Sequence, residues 1–304
     1  LDKKIKQNTT GTLEGEIVFE LYDTYGFPAD ITKDVAREQG LDIDLIGFEQ
    51  SMERQKLLAR GASKFSEQAD FLGLSNSTFD SAGFTQKFCG YTDNEIVSEV
   101  VSVYSEGVRT KKLCKNELGI ICIQETPFYA EAGGQIGDIG KIKSSNGVFE
   151  VRDTKAINNM YLHIGKLVDG ELREGEKVKA MVNMETRTKT TIHHSATHLL
   201  HAALRHELGK SVGQKGSYVA ANRMRFDFSH SETISDFELQ QIEMLVNSKI
   251  RENLKVETKI MNKSEAINSG AIAFFDEKYG EKVRVLSMGN FSIELCGGTH
   301  VSQT

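Results

Sequence analysis

The chain has 304 residues, of which 39% are hydrophobic and 26% are charged, and its formal net charge is −6. No apolar run approaches the roughly 20 residues that a membrane-spanning helix needs, so the composition excludes a transmembrane segment. An acidic chain is not coated in basic surface, and any nucleic-acid binding would therefore depend on a local patch. The four cysteines show no disulfide-framework spacing, which favours a reducing cytoplasmic compartment.

Three consecutive regions differ in hydrophobic periodicity. Residues 1–80 favour helices, because their apolar residues recur at helical spacing. Residues 81–185 favour short strands with regularly spaced turns, which predict a small β-barrel. Residues 186–304 alternate helix and strand. We therefore predict an α+β fold with an N-terminal helical segment, a small β-barrel and an α/β domain that contains an antiparallel sheet.

The third region begins with a predicted helix from Thr190 to Leu208. Ile192, Leu199 and Ala203 lie on one face of this helix, and we expect that face to point inward. Further along, Ser235–Glu238 has the sequence of a capping box and predicts the start of a second long helix.

The strongest chemical signal combines two short motifs. His194 and His198 are four residues apart on the predicted helix, so their imidazoles lie one turn apart on one face. Cys296 and His300 form a second pair at a strand end, where two intervening glycines permit a tight turn. Three nitrogens and one thiolate suit Zn²⁺ among common metals. Spacing alone leaves open whether such a zinc site is structural or catalytic.

Six motifs in fixed order resemble the editing region of alanyl-tRNA synthetases. They are Leu21–Pro28, Phe128–Gln135, His194–Leu204, Gln214–Ser217, Arg225–His230 and Cys296–Val301. Together they extend over nearly the whole chain. The resemblance implies that the ATP-binding aminoacylation core lies before Leu1 and an oligomerisation module lies after Thr304. On this reading the chain itself does not activate alanine and works with the rest of the synthetase in cis.

The resemblance further implies hydrolysis of the aminoacyl ester of seryl-tRNA(Ala) and glycyl-tRNA(Ala). A pocket shaped for alanine cannot strongly exclude glycine, which loses only about 1–3 kcal/mol for the missing methyl group, or serine, which merely adds a hydroxyl. A second site that hydrogen-bonds this hydroxyl supplies the missing selectivity. The expected partner is therefore mischarged tRNA(Ala), and the expected cofactor is Zn²⁺.

The resemblance also suggests roles for individual residues. The expected zinc ligands are His194, His198, Cys296 and His300. The expected catalytic residues are Thr197, Gln214 and Cys296. The expected tRNA contacts are Gly133, Gly134, Gln135, Lys215 and Arg225.

Two alternative functions remain open at this point. One is an editing domain of the threonyl-tRNA synthetase type, which has related His and Cys motifs, although Leu21–Pro28 and Phe128–Gln135 argue against it. The other is a zinc-stabilised tRNA-binding module without catalysis of its own. A zinc hydrolase of small acyl substrates is disfavoured, because no general-base glutamate stands at the spacing of a metal motif.

Overall fold

The computed structural model describes five ranges of the chain, namely residues 11–25, 27–52, 86–157, 160–272 and 280–304. The chain forms two compact units, Leu1–Leu74 and Ser75–Thr304. Within the described ranges, no helix has both the length and the apolar character that crossing a membrane requires. The predicted boundary between residues 80 and 81 lies outside the described residues.

In its described residues, the first unit contains three helical segments and a two-stranded parallel sheet. Its elements are β1 (Thr12–Leu13), α1 (Gly15–Tyr25), α2 (Ala29–Glu38) and β2 (Asp42–Ile43), followed by helical residues 45–52. Leu13, Val18 and Ala36 are fully buried and form the centre of its small core.

The second unit begins with a closed antiparallel barrel of six strands. The strands are β4 (Glu95–Ser105), β7 (Leu118–Ile123), β9 (Gly140–Lys143), β10 (Gly147–Ile157), β11 (Met160–Arg173) and β12 (Lys177–Val182). Around the ring the order is β10, β9, β12, β4, β7 and β11, and β11 pairs with β10 to close it. Four short strands lie beside the ring: β3 (Lys87–Phe88), β5 (Val108–Thr110), β6 (Lys112–Cys114) and β8 (Glu125–Thr126).

Alternation along the strands fills the barrel interior. Successive side chains of a strand point to opposite faces, so every second residue of a barrel strand enters the core. Phe149, Ile121 and Leu167 are fully buried there, together with Phe128 from the segment that follows β8. Burying each such side chain contributes about 1.5–3 kcal/mol to stability. The predicted small barrel is confirmed.

A long helix and two antiparallel sheets follow the barrel. The elements are α3 (Met184–Leu208), β13 (Gly213–Val219), β14 (Met224–Ser229), α4 (Asp236–Arg251), β15 (Val256–Asn262), α5 (Lys263–Asn268), β16 (Lys282–Met288) and β17 (Ser292–Leu295). β13 and β14 form one antiparallel pair, and β15, β16 and β17 form a three-stranded sheet. Ser235 caps α4 with the predicted capping box, because its side chain accepts from Glu238 N–H. The predicted combination of helices with antiparallel sheets is confirmed.

Helix α3 differs from the prediction in which face it buries. Leu199 and Ala203 are buried as expected, but Ile192 is 50% exposed, so that expectation is wrong. The first half of α3 buries polar side chains, including Arg187 and Thr190, against the rest of the unit. A helix of 25 residues is about 37 Å long, so its two halves meet different neighbours.

A buried ion pair joins α3 to the barrel. Arg187 Nε donates to both carboxylate oxygens of Asp138 at 2.9 Å. The remaining guanidinium nitrogens donate to the carbonyls of Gly90 at 2.9 Å and Pro127 at 2.8 Å. Asp138 also accepts from Tyr129 N–H at 2.7 Å. Because both charges are paired and hydrogen-bonded, burial is tolerated and the orientation of α3 is fixed.

The barrel also contains a fully buried histidine, His163. Its Nδ1 donates to the carbonyl of Ile121 at 2.7 Å, so Nε2 is the acceptor, and Thr126 Oγ1 lies 2.7 Å from Nε2. Burial lowers the pKa of His163 to about 4, although the hydrogen bond to Ile121 opposes this shift. The ring is therefore neutral in the folded protein at pH 7.

Acidification should destabilise the protein through His163. Its folded-state pKa lies below its unfolded value, so the unfolded chain binds more protons as the pH falls from about 6.5 to about 4, and stability declines across that window. Between pH 7.5 and pH 4.5 this one group removes about 2–3 kcal/mol from the free energy of unfolding. Urea denaturation of the wild type and of His163→Gln at both pH values measures the effect. The wild type should lose more stability than the variant, and equal losses would contradict the assignment.

Candidate metal centre

The structure brings the four predicted metal ligands together. His194 and His198 project from α3, and Cys296 and His300 come from the loop that follows β17. One donor atom from each of the four residues lies within 4.8 Å of the other three. Cys296 Sγ is 3.6 Å from His194 Nε2 and 3.2 Å from His300 Nε2. Side chains in this arrangement can surround a single small cation.

Hydrogen bonds on the far side orient the two helix-borne rings. His194 Nδ1 is 2.7 Å from Gln135 Oε1, and His198 Nδ1 is 2.6 Å from Glu294 Oε2. Glu294 Oε1 also accepts from His201 Nδ1 at 2.9 Å. Amide and carboxylate oxygens only accept, so each of these Nδ1 atoms carries the proton. In the neutral form of each ligand ring the lone pair is therefore on Nε2, where a metal can bind.

The third imidazole has a weaker outer contact. His300 Nδ1 lies 3.2 Å from Ser195 Oγ, which accepts from Val301 N–H at 3.2 Å. Ser195 is on α3, one residue after His194. The same turn of the helix therefore supplies one ligand and positions another.

The donor set fits a metal ion. His198 Nε2 is buried and, among the residues that the structure describes, has no hydrogen-bond partner. A buried polar atom without a partner costs free energy, and a cation at the centre of the cluster would remove that cost. Three imidazole nitrogens and one thiolate form a four-donor set of the kind that binds zinc.

The electrostatics of the cluster favour a thiolate at Cys296. Burial opposes ionisation of this thiol, but the neighbouring His300, His198 and His194 hold its pKa well below the usual range. Burial also lowers the pKa of His300 to about 3, which keeps that ring neutral. A thiolate and a neutral imidazole are the protonation states that metal ligands require.

A negative environment surrounds His198. Burial alone would lower the pKa of His198, but Glu294 and Cys296 raise it to about 10. Burial likewise opposes ionisation of Glu294, yet His198 and His201 lower the pKa of that carboxyl to about 2. Surroundings that favour a proton at His198 Nε2 favour a metal cation at the same atom, because both bring positive charge.

A cavity of ≈ 380 Å³ opens beside the cluster. Besides ligand side chains, it is lined by Tyr129, Gly133, Thr197, His201, Gln214, Ser217, Phe226 and Glu294. The predicted catalytic residues Thr197 and Gln214 thus line the same cavity as three of the candidate ligands, His194, His198 and Cys296. The cavity combines aromatic walls with hydroxyl, amide and imidazole groups, as small-molecule sites commonly do.

Thr197 has a defined hydrogen-bonding state. Its hydroxyl donates to the carbonyl of His193 at 2.8 Å, and Met224 Sδ lies 3.3 Å away. The single hydroxyl proton is thus engaged within α3, and the Thr197 oxygen has acceptor lone pairs left. A donor group in the cavity can therefore find an acceptor at Thr197.

The glycine-rich motif packs against β13. Gly133 and Gly134 both have positive φ, 58° and 83°, which favours glycine. A Cβ on Gly134 would lie 2.6 Å from the Ser217 carbonyl oxygen, and Val219 N–H donates to the Gly134 carbonyl at 2.7 Å. Gln135 is fully buried. Contact of this motif with tRNA stays a prediction.

The two predicted basic contacts lie on the β13–β14 pair. Lys215 and Arg225 are exposed there, and Arg225 Nε donates to Asp227 at 3.1 Å. Neither residue is part of the cavity lining. Their role in binding tRNA stays a prediction.

Sequence reasoning missed Glu294 and the inward contacts of Gln135. A usable signal existed for Glu294, because residues two apart in a strand share a face and Cys296 follows two positions later. Gln135 gave no local signal, since its contacts with His194 and Thr299 join segments 59 and 164 residues away.

Comparison with known proteins identifies the chain's relatives. The family model described as tRNA synthetases class II (A) matches residues 1–186. The model described as the threonyl and alanyl tRNA synthetase second additional domain matches residues 283–304, which include Cys296 and His300.

Several curated alanine–tRNA ligases are similar to this chain. Those of Nitrosococcus oceani and Nitrosomonas europaea are 47% identical over 308 and 292 residues, and that of Haemophilus influenzae is 46% identical over 304 residues. These matches cover 100%, 96% and 100% of this chain, and 34%, 33% and 34% of the respective relatives. The chain therefore spans about a third of the length of the relatives it matches. The class II (A) family model matches more than half of the residues, and the relatives named above are alanine–tRNA ligases. The chain therefore belongs to the class II (A) tRNA synthetases and is similar in sequence to alanine–tRNA ligases.

Proposed function

We propose that this chain is an editing region that hydrolyses the aminoacyl ester of mischarged seryl-tRNA(Ala) and glycyl-tRNA(Ala). The observation that carries the proposal is the shared cavity, in which a candidate metal centre, Thr197 and Gln214 face one space of ≈ 380 Å³. Similarity to alanine–tRNA ligases supports tRNA as the substrate class.

The cavity chemistry suits selection for a hydroxyl. Thr197 offers an acceptor, and Gln214 offers an amide that can both donate and accept. A serine hydroxyl satisfies such groups, whereas an alanine methyl would leave them unpaired in a confined space. The proposed site therefore releases serine in preference to alanine, which a site based on size alone could not achieve.

We propose Zn²⁺ as the metal, held by His194, His198, Cys296 and His300. When bound, zinc supplies a Lewis acid that can polarise an oxygen or orient an amine. The protein side chains bind the metal and orient its ligands. Glu294 and Gln135 keep the ligand rings in their metal-binding tautomers.

The wider setting is a reducing cytoplasm with tRNA(Ala) and the remainder of a synthetase as partners. All four cysteines are free, which agrees with that compartment. We propose that Gly133 in the cavity wall, and Lys215 and Arg225 on the exposed β13–β14 pair, contact the tRNA.

A second candidate function is a zinc-stabilised tRNA-binding module without catalysis. The observation in its favour is that four protein side chains converge on the centre, which is the ligand number of a closed structural zinc site. The two functions differ in whether the ester is cleaved when mischarged tRNA is bound.

Replacing Cys296 with alanine should abolish both metal binding and ester hydrolysis. Disturbing an outer partner of a metal ligand already costs about 10- to 100-fold, and loss of the thiolate itself should exceed this. Metal content after dialysis and the rate of serine release measure the two effects. Cys114→Ala, at a half-buried position in β6, serves as the matched control. Undiminished hydrolysis by Cys296→Ala would remove the metal centre from the mechanism.

Replacing Thr197 with valine should impair serine release selectively. Valine keeps the shape of threonine but has no acceptor, so kcat/KM for seryl-tRNA(Ala) should fall about 3- to 10-fold, the size expected for one neutral hydrogen bond. Glycyl-tRNA(Ala) has no side-chain hydroxyl and should be hydrolysed at nearly the wild-type rate. Equal losses on both substrates would show that Thr197 does not recognise the hydroxyl.

A further inference from the structure

Gln135 connects three parts of the second unit through one buried amide. It belongs to the glycine-rich motif, and its Oε1 is 2.9 Å from Thr299 N and 2.7 Å from His194 Nδ1. Its Nε2 donates to Thr299 Oγ1 at 2.8 Å. Thr299 lies immediately before His300 in the segment 296–300 that follows β17, which we call the metal loop, and is itself buried.

The direction of each hydrogen bond follows from these contacts. The Thr299 backbone N–H can only donate, so the amide atom facing it must be the Gln135 oxygen. That oxygen can only accept, so His194 Nδ1 must carry the proton. In the neutral ring the lone pair of His194 is therefore on Nε2, the ligand nitrogen.

Close packing surrounds the amide. A Cβ on Gly298 would lie 2.1 Å from His194 Cε1 and 2.9 Å from Gln135 Oε1, so only glycine lets the metal loop approach this pair. The Gln135 backbone is held as well, because its N–H donates to the Ala132 carbonyl at 3.0 Å. The backbone of Gln135 is therefore held by a hydrogen bond, and its side-chain amide is tightly packed against His194 and Gly298.

We propose that Gln135 is a positioning residue of the metal centre. It holds His194 in the Nδ1–H tautomer and, through Thr299, fixes the loop that carries Cys296 and His300. The metal centre then depends on the glycine-rich motif beside the barrel as well as on the segments that supply its ligands. Only the catalytic consequence of this role rests on the proposed function. The structural role stands on the contacts alone.

Two substitutions in the full chain separate the hydrogen bonds from the volume of the side chain. Gln135→Met keeps an unbranched side chain of similar size but cannot accept from His194 Nδ1 or Thr299 N–H. Gln135→Glu keeps two acceptor oxygens and should retain both contacts. Gln240→Met, at an exposed position on α4, controls for the introduction of methionine.

The readouts are the affinity for Zn²⁺, measured by competition with a chelator, and the tautomer of His194, measured by nitrogen NMR of histidine-labelled protein. We expect Gln135→Met to bind Zn²⁺ about 10- to 100-fold more weakly and to lose the Nδ1–H signature of His194. We expect Gln135→Glu to stay within about threefold of the wild type. The control Gln240→Met should match the wild type in both measurements.

Two results would overturn the positioning role. One is a folded Gln135→Met protein with wild-type Zn²⁺ affinity and an unchanged His194 tautomer. The other is a loss of Zn²⁺ affinity of about 10-fold or more in folded Gln135→Glu, a result that decides the question even if the methionine variant fails to fold. A wild-type protein that binds Zn²⁺ but releases no serine would instead contradict the proposed function and leave the role of Gln135 intact.

Discussion

The candidate site depends on the hydrogen bonds that hold its imidazole rings from behind. A histidine presents a lone pair at Nε2 only if Nδ1 carries the proton, and an acceptor at Nδ1 enforces that state. Gln135 provides this acceptor for His194, and Glu294 provides it for His198. Without them, rings only one helical turn apart could turn away from Cys296. The fold therefore sets the tautomers of His194 and His198, and these tautomers allow both rings to bind a metal beside the cavity.

These acceptors are effective because the surrounding structure is rigid. The closed barrel has no free edge along its six-stranded ring, and the buried Arg187–Asp138 pair fixes the start of α3 against it. The glycine-rich motif lies between the barrel strands β7 and β9 and carries Gln135 to the loop that holds Cys296 and His300. Glu294 lies in β17, within the three-stranded sheet, and accepts from His198 on α3. The metal centre is thus held by contacts from the glycine-rich motif and from the three-stranded sheet of the same unit.

Much of this arrangement could be predicted from local sequence patterns. Turn spacing predicted the barrel, the capping box at Ser235 predicted the start of α4, and the two His and Cys motifs indicated which side chains converge. Local sequence patterns did not predict features that depend on contacts between residues far apart in the chain. The exposure of Ile192 depends on what packs beside the first half of α3. The inward amide of Gln135 depends on Thr299, which lies 164 residues further along the chain. No periodicity encodes contacts of that range.

The central claim is that the metal centre and the cavity together cleave the ester of mischarged tRNA. The most direct measurement is the release of serine from seryl-tRNA(Ala) by this chain, with alanyl-tRNA(Ala) as the control substrate. It is made before zinc removal, after zinc removal and after zinc is restored. We expect release that favours serine over alanine, stops without zinc and returns with it. Absence of release from folded, zinc-loaded protein that binds the tRNA would contradict this account and favour a binding module.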